Sequence, residues 1–211
     1  MVSRDFILWE VDAQKDFMLP GGKLYVPNAE KLLPNIRRLT NEARQGHAFL
    51  VSHGCVHTPD DPEFKQFPPH CMAGTDGAKL VPEALADTYV TIPNDAESSL
   101  PNDFAQYQQV VIEKPTLDIF ESRHANNLVN RLAPDAEFVV FGVVTEYCVR
   151  FAAKGLLERG RRVAIVKDAI ETLNPAEGQR AISELLSLGA EVISTDEALA
   201  RLHQSAAARK T

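Results

Sequence analysis

The chain has 211 residues, 45% hydrophobic and 24% charged, with a formal net charge of -7. That length suffices for one well-buried core, and a negative chain without any basic block argues against nucleic acid or an anionic membrane as a partner. No apolar run approaches the ~18 residues of a membrane span.

The opening segment has no signal-peptide layout, since Glu10 and Asp12 interrupt its apolar run. Three cysteines suit a reducing cytoplasm better than a disulfide framework. Cys55 and Cys71 therefore need a packing or ligand role, and Cys148 a packing or catalytic one.

Residues 6–11 read as a first strand. Residues 28–45 have helical spacing, with Asn28 as N-cap, Gly46 as the stop and Pro34 marking a break near the start. HAFLVS (47–52) is a second strand. A Pro-, Asp- and Gly-rich stretch then runs over 54–79, far longer than an ordinary connection, which points to function. Further strands are expected at 88–92, 109–113, 137–144, 163–167 and 191–194. Helices are expected at 123–132, at 145–159 before Gly160, and at 176–188 before Gly189. Thr195 should cap a terminal helix, and the last residues, SAAARKT, should fray. No repeat or linker divides the chain, so residues 1–211 are read as one domain. Apolar strands alternating with helices imply a three-layer α/β sandwich, a parallel sheet with helices on both faces. Ligands of such sheets bind beyond the carboxyl ends of the strands.

Polar residues collect at those ends. The first strand ends at Asp12 in VDAQKDF, and the second runs into HGCVH (53–57). QVVIE is followed by Lys114 in EKPT, and EFVVFGVV by Thr145 and Cys148 in TEYC. An acid, an ammonium and a thiol at one sheet edge are a set for covalent amide hydrolysis. A thiol with pKa ~8.5 is mostly protonated at neutral pH. A buried Asp12 can take its proton, and Lys114 favours the resulting charged pair. A strand–helix junction also offers backbone N–H groups to an oxyanion.

With VDAQKDF, EKPT and GVVTEYCVR in place, the chain resembles the isochorismatase-like cysteine hydrolases, from residue 6 to about 199. FPPHCMAGTDGAK (67–79) is similar to the loop of the nicotinamidases in that family. The resemblance implies a Rossmann-like sheet of six parallel strands and an Asp12, Lys114, Cys148 triad. It implies a cis peptide just before Val144, with the N–H groups of Val144 and Cys148 forming the oxyanion hole. Phe17, Phe67 and Tyr147 match positions that line the substrate pocket; ordinary core packing is the alternative. A cytoplasmic homodimer or larger homo-oligomer without an organic cofactor completes the expectation.

Two departures stand out. Nicotinamidases carry Asp-x-His after the second strand and a further His in the loop, where they bind zinc, iron or manganese. His57 and His70 stand at the matching positions, but Cys55 replaces the aspartate. Either the site is retuned, since Cys55, His57 and His70 make a good zinc set, or metal binding is weakened. An extended 53–57 segment would put His53, Cys55 and His57 on one face. Asp61 and Glu63 could act through water or as turn and cap residues, and Cys71 packs. Lys15 stands where a polar uncharged residue is usual, and would favour a substrate carboxylate or lie in solvent. The leading substrate is nicotinamide. The alternatives are another small amide (a maleamate, a carbamoylated amine or a ureido acid) or a non-catalytic scaffold of the same fold.

Overall fold

The computed structural model describes residues 6–114 and 116–208. Seven strands form one sheet: β1 (Phe6–Val11), β2 (Phe49–Cys55), β3 (Tyr89–Ile92), β4 (Gln109–Lys114), β5 (Glu137–Gly142), β6 (Arg162–Ile170) and β7 (Glu191–Ile193). Their order is β3-β4-β2-β1-β5-β6-β7, and every pairing is parallel. The seven runs read from the sequence all enter it; the count of six implied by the resemblance is one strand short.

The helices are α1 (Lys15–Met18), α2 (Leu33–Arg44), α3 (Arg123–Arg131), α4 (Arg150–Glu158), α5 (Pro175–Ser187) and α6 (Thr195–Ala208). The period of two along β1 sorts its side chains into two cores. Leu8 packs with Leu50, Val139 and Phe141 against Ile36 and Leu39 of α2 and Leu202 of α6. Ile7 and Trp9 pack with Phe49 and Val140 against Leu128 of α3, Leu156 of α4 and Leu185 of α5. Burial on both faces explains why the strands are nearly all apolar. Sequence order reverses across β1, so the carboxyl ends of β1, β2, β4 and β5 surround one crevice.

Several boundaries differ from the expectations. Asn28 is left-handed (φ 72°) and makes no side-chain cap; a 3₁₀ turn, Ala29–Leu32, precedes α2. Pro34 lies in the first turn of α2, where its missing N–H costs nothing. β2 starts later and reaches Cys55, because β1 pairs with it as far as His53 and β4 as far as Cys55. Pairing with β4 along its whole length keeps the polar SHGC segment extended. The residues from 145 do not start as a regular helix: Thr145–Val149 form a wide turn in which Tyr147 is non-helical (φ -116°, ψ -105°), and α4 follows. At α6, Ser194 and Glu197 exchange hydrogen bonds as a capping box, so Ser194, not Thr195, is the cap. Residues 205–208 of the tail continue α6, and 209–211 lie outside the described residues.

Candidate active site

Asp12 leaves β1 in the left-handed region (φ 51°), which an aspartate tolerates better than most side chains. Its N–H donates to His53 O at 2.9 Å. The turn is closed from below by Glu10, whose Oε1 accepts the Ala13 N–H. Gly142 sits beside it with φ 119°; a Cβ there would lie 2.0 Å from Val11 O, so only glycine lets β5 pass this close. A cis peptide joins Val143 and Val144 immediately afterwards.

The side chains of Asp12, Lys114, Cys55 and Cys148 converge in this crevice. Lys114 Nζ lies 2.9 Å from Asp12 Oδ2, 3.1 Å from Cys55 Sγ and 3.5 Å from Cys148 Sγ. It also donates to Thr116 O at 3.0 Å. Both charged side chains are fully buried. Burial alone would favour the neutral amine, but Asp12 and the two sulfurs outweigh it and raise the Lys114 pKa well above its ordinary value.

Cys55 is the unanticipated neighbour. Its Sγ lies 3.7 Å from Asp12 Oδ2, and the ligand atoms of Asp12, Cys55 and Cys148 all fall within 4.8 Å of one another. A hydrogen bond from the Cys148 thiol, with Lys114, holds Cys55 well below the ordinary thiol range despite its burial. The same bond, burial and the Asp12 charge push Cys148 well up. The two sulfurs share one ammonium and titrate as a pair. Cys71 is packed instead: its N–H donates to Asp16 Oδ2, and burial raises its thiol.

Cys55, His57 and His70 present ligand atoms within 4.8 Å of one another. His57 Nδ1 meets Asp61 Oδ2 at 2.9 Å, and His70 Nδ1 meets Pro68 O at 2.8 Å. Each outer partner fixes one ring nitrogen and leaves Nε2 for a ligand. The buried His57 Nε2 has no hydrogen-bond partner among the described residues. Burial disfavours the imidazolium, but Cys55 and Asp61 outweigh it and lift His57 to about 9. One thiolate sulfur and two imidazole nitrogens are a donor set that fits zinc. Asp61 thus contacts His57 directly and also accepts the Glu63 N–H that caps the 62–65 turn. Glu63 Oε1 lies 3.7 Å from His70 Nε2. His53 does not join this set: its Nδ1 is 3.3 Å from Asp12 Oδ1 and its ring packs near Trp9.

The two sulfurs line a narrow cavity of about 20 Å³ whose walls include Phe17, Phe67, Tyr147, Leu117, Leu173 and Val144. Phe67 and Tyr147 meet edge to face at 5.5 Å. The three predicted aromatics therefore share one cavity with Cys148. Lys15 does not line it; its ammonium pairs with Asp76 at 2.9 Å and faces a separate surface groove.

Three supporting residues were not read from the sequence. Gln14 bonds both backbone groups of Cys55, accepting from its N–H at 2.7 Å and donating to its O at 2.8 Å. Asp16 clamps the loop; a Cβ on Gly77 would lie 2.3 Å from its Oδ1. Glu146 accepts from Leu173 and Asn174 N–H, fixing the segment that brings Leu173 to the cavity. Gln14 and Asp16 flank Lys15 in VDAQKDF, so their position was a signal; Glu146 had none.

Fold and site together define an α/β protein whose reactive crevice opens at the carboxyl edge of a parallel sheet. The chain belongs to the isochorismatase family of hydrolases: the family model for the isochorismatase domain matches residues 7–197. A nicotinamidase of Escherichia coli (strain K12) is 26% identical over 202 residues, 85% of this chain and 90% of that protein. The structure of a pyrazinamidase of Pyrococcus horikoshii in complex with zinc superposes with a TM-score of 0.71 at 26% identity, covering 90% of this chain and 99% of that one. An N-carbamoylsarcosine amidase from Thermoplasma acidophilum superposes with a TM-score of 0.68 at 25% identity, covering 90% and 96%.

Proposed function

We propose that this hydrolase is a cytoplasmic cysteine amidohydrolase acting on a small carboxamide, with nicotinamide as the leading substrate and nicotinate and ammonia as products. The observation that carries the reading is the buried Lys114 ammonium in contact with the Asp12 carboxylate and the Cys148 sulfur. Cys148 passes its proton to Asp12, and Lys114 holds the resulting anion. The sulfur attacks the amide carbon. N–H groups of Val144 and Cys148 receive the oxyanion, each worth roughly 2.7–4 kcal/mol of barrier. Asp12 returns the proton to the departing ammonia, and water then hydrolyses the thioester.

Phe17, Phe67 and Tyr147 suit a flat ring, which favours nicotinamide over an aliphatic amide. The nicotinamidase and pyrazinamidase likenesses support the same choice. The N-carbamoylsarcosine amidase likeness keeps a carbamoylated amine as the second reading. Zinc held by Cys55, His57 and His70 would supply a Lewis acid at the cavity wall. The test is ammonia release from a panel containing nicotinamide, pyrazinamide, a maleamate and carbamoyl compounds. Nicotinamide should turn over fastest, and Cys148→Ala should abolish turnover; undiminished turnover in that variant would remove the nucleophile assignment.

A further inference from the structure

The family resemblance places an aspartate where this chain has Cys55, and that difference sets a second thiol beside Cys148. The two side chains come from separate elements, β2 and the wide turn after β5. They meet across the end of β1, their sulfurs within 4.8 Å of one another. Lys114 Nζ touches both, at 3.1 and 3.5 Å. Both side chains line the same cavity, so a small oxidant that enters for one reaches the other. Cys71 belongs to no such pair: the Asp16 carboxylate holds its backbone N–H, and it is absent from the cavity wall.

We propose that Cys55 and Cys148 form a reversible oxidative modification site that takes a hydroperoxide as oxidant and closes to an intramolecular disulfide. One sulfur attacks the peroxide; the O–O bond breaks, an S–O bond forms, and an alcohol or water leaves. The other sulfur attacks the resulting sulfenic acid, forming the S–S bond and expelling hydroxide, which takes the second thiol proton and departs as water. Two thiols lose two electrons and the peroxide gains them. The sulfurs must approach to about 2.05 Å. Side-chain rotation at Cys148 supplies part of this, in a turn that is already irregular at Tyr147. A carboxylate at position 55 could not resolve the sulfenic acid, which would then oxidise irreversibly. Closure would consume the sulfur assigned above to the nucleophile, so only its effect on turnover rests on that reading.

The experiment treats the metal-free, reduced protein with a small excess of hydrogen peroxide, quenches with an alkylating agent and maps peptides by mass spectrometry. The expected result is one linked peptide pair joining positions 55 and 148. It should be lost on adding dithiothreitol, absent in Cys55→Ser and in Cys55→Asp, and reduced when zinc is added before the peroxide. In Cys55→Asp, Cys148 should pass to sulfinic acid and resist the reductant. A wild-type protein in which Cys148 reaches sulfinic acid while Cys55 stays alkylatable would overturn the proposal, as would a Cys55–Cys71 link. The linked pair is read whether or not any amide is hydrolysed, so its failure is separable from failure of the amidase assignment.

Discussion

Lys114 keeps its charge at full burial because four acceptors surround it: one carboxylate, two sulfurs and the Thr116 carbonyl. Removing one partner from such a cluster leaves an uncompensated charge, which costs about 3–5 kcal/mol. Lys114→Met should therefore melt roughly 10 °C lower by calorimetry and lose at least about a hundredfold in kcat/KM, measured by ammonia release. Glu10 is a second buried acid at the same strand end. Burial pushes its pKa from 4.5 to about 8, although the Ala13 N–H opposes this. The native state thus binds a proton that the unfolded chain has lost between those pH values. Its contribution is complete below pH 4.5 and fades as pH rises, by up to about 1.4 kcal/mol per pH unit until about 8. Glu10→Gln should flatten this slope in urea titrations across pH 5–8.5, and an unchanged slope would exclude Glu10 as its source. Asp12, Lys114 and Cys148 could be read from the sequence because each follows an apolar run, where a reactive group has a reason to stand. Glu10 could not: a polar residue inside a strand does not announce which backbone group it will meet.

At the scale of elements, the loop after β2 is the part whose length alone signalled function. Its order comes from short-range clamps. Asp61 caps the 62–65 turn and meets His57 Nδ1, and a bridge pairs His57 with Met72. Outer contacts of this kind are worth about 10–100-fold in metal affinity. Asp61→Ala should weaken zinc binding by that factor in chelator competition, without a comparable loss of folded protein by circular dichroism. Equal affinity in the variant would mean that His57 is oriented by packing against Phe64 instead. The wide turn at 145–149 could not be read as such, because its residues carry ordinary helical propensity. Its departure comes from tertiary anchors: the Thr145 N–H to Glu171 O at 2.8 Å, and Glu146 to Leu173 and Asn174.

For the whole molecule, the two cores on either side of one parallel sheet position the crevice. No described helix is long and apolar enough to cross a membrane. The homodimer or larger assembly implied by the resemblance predicts a mass at least twice 23.3 kDa in light scattering after size exclusion. A monomer at micromolar concentration would show that this chain keeps the fold without the assembly.

The sequence by itself determined the alternation of strands and helices, the parallel sheet, and which side chains stand at strand ends. These follow from local periodicity and from burial on both faces. The tertiary structure alone decided which of those side chains touch. It carried β2 on to Cys55, turned His53 toward Asp12 and set Cys55 against Cys148. Such contacts depend on strand order and register, which bring residues 40 to 100 positions apart within hydrogen-bonding reach, and a one-dimensional pattern holds no distance between them.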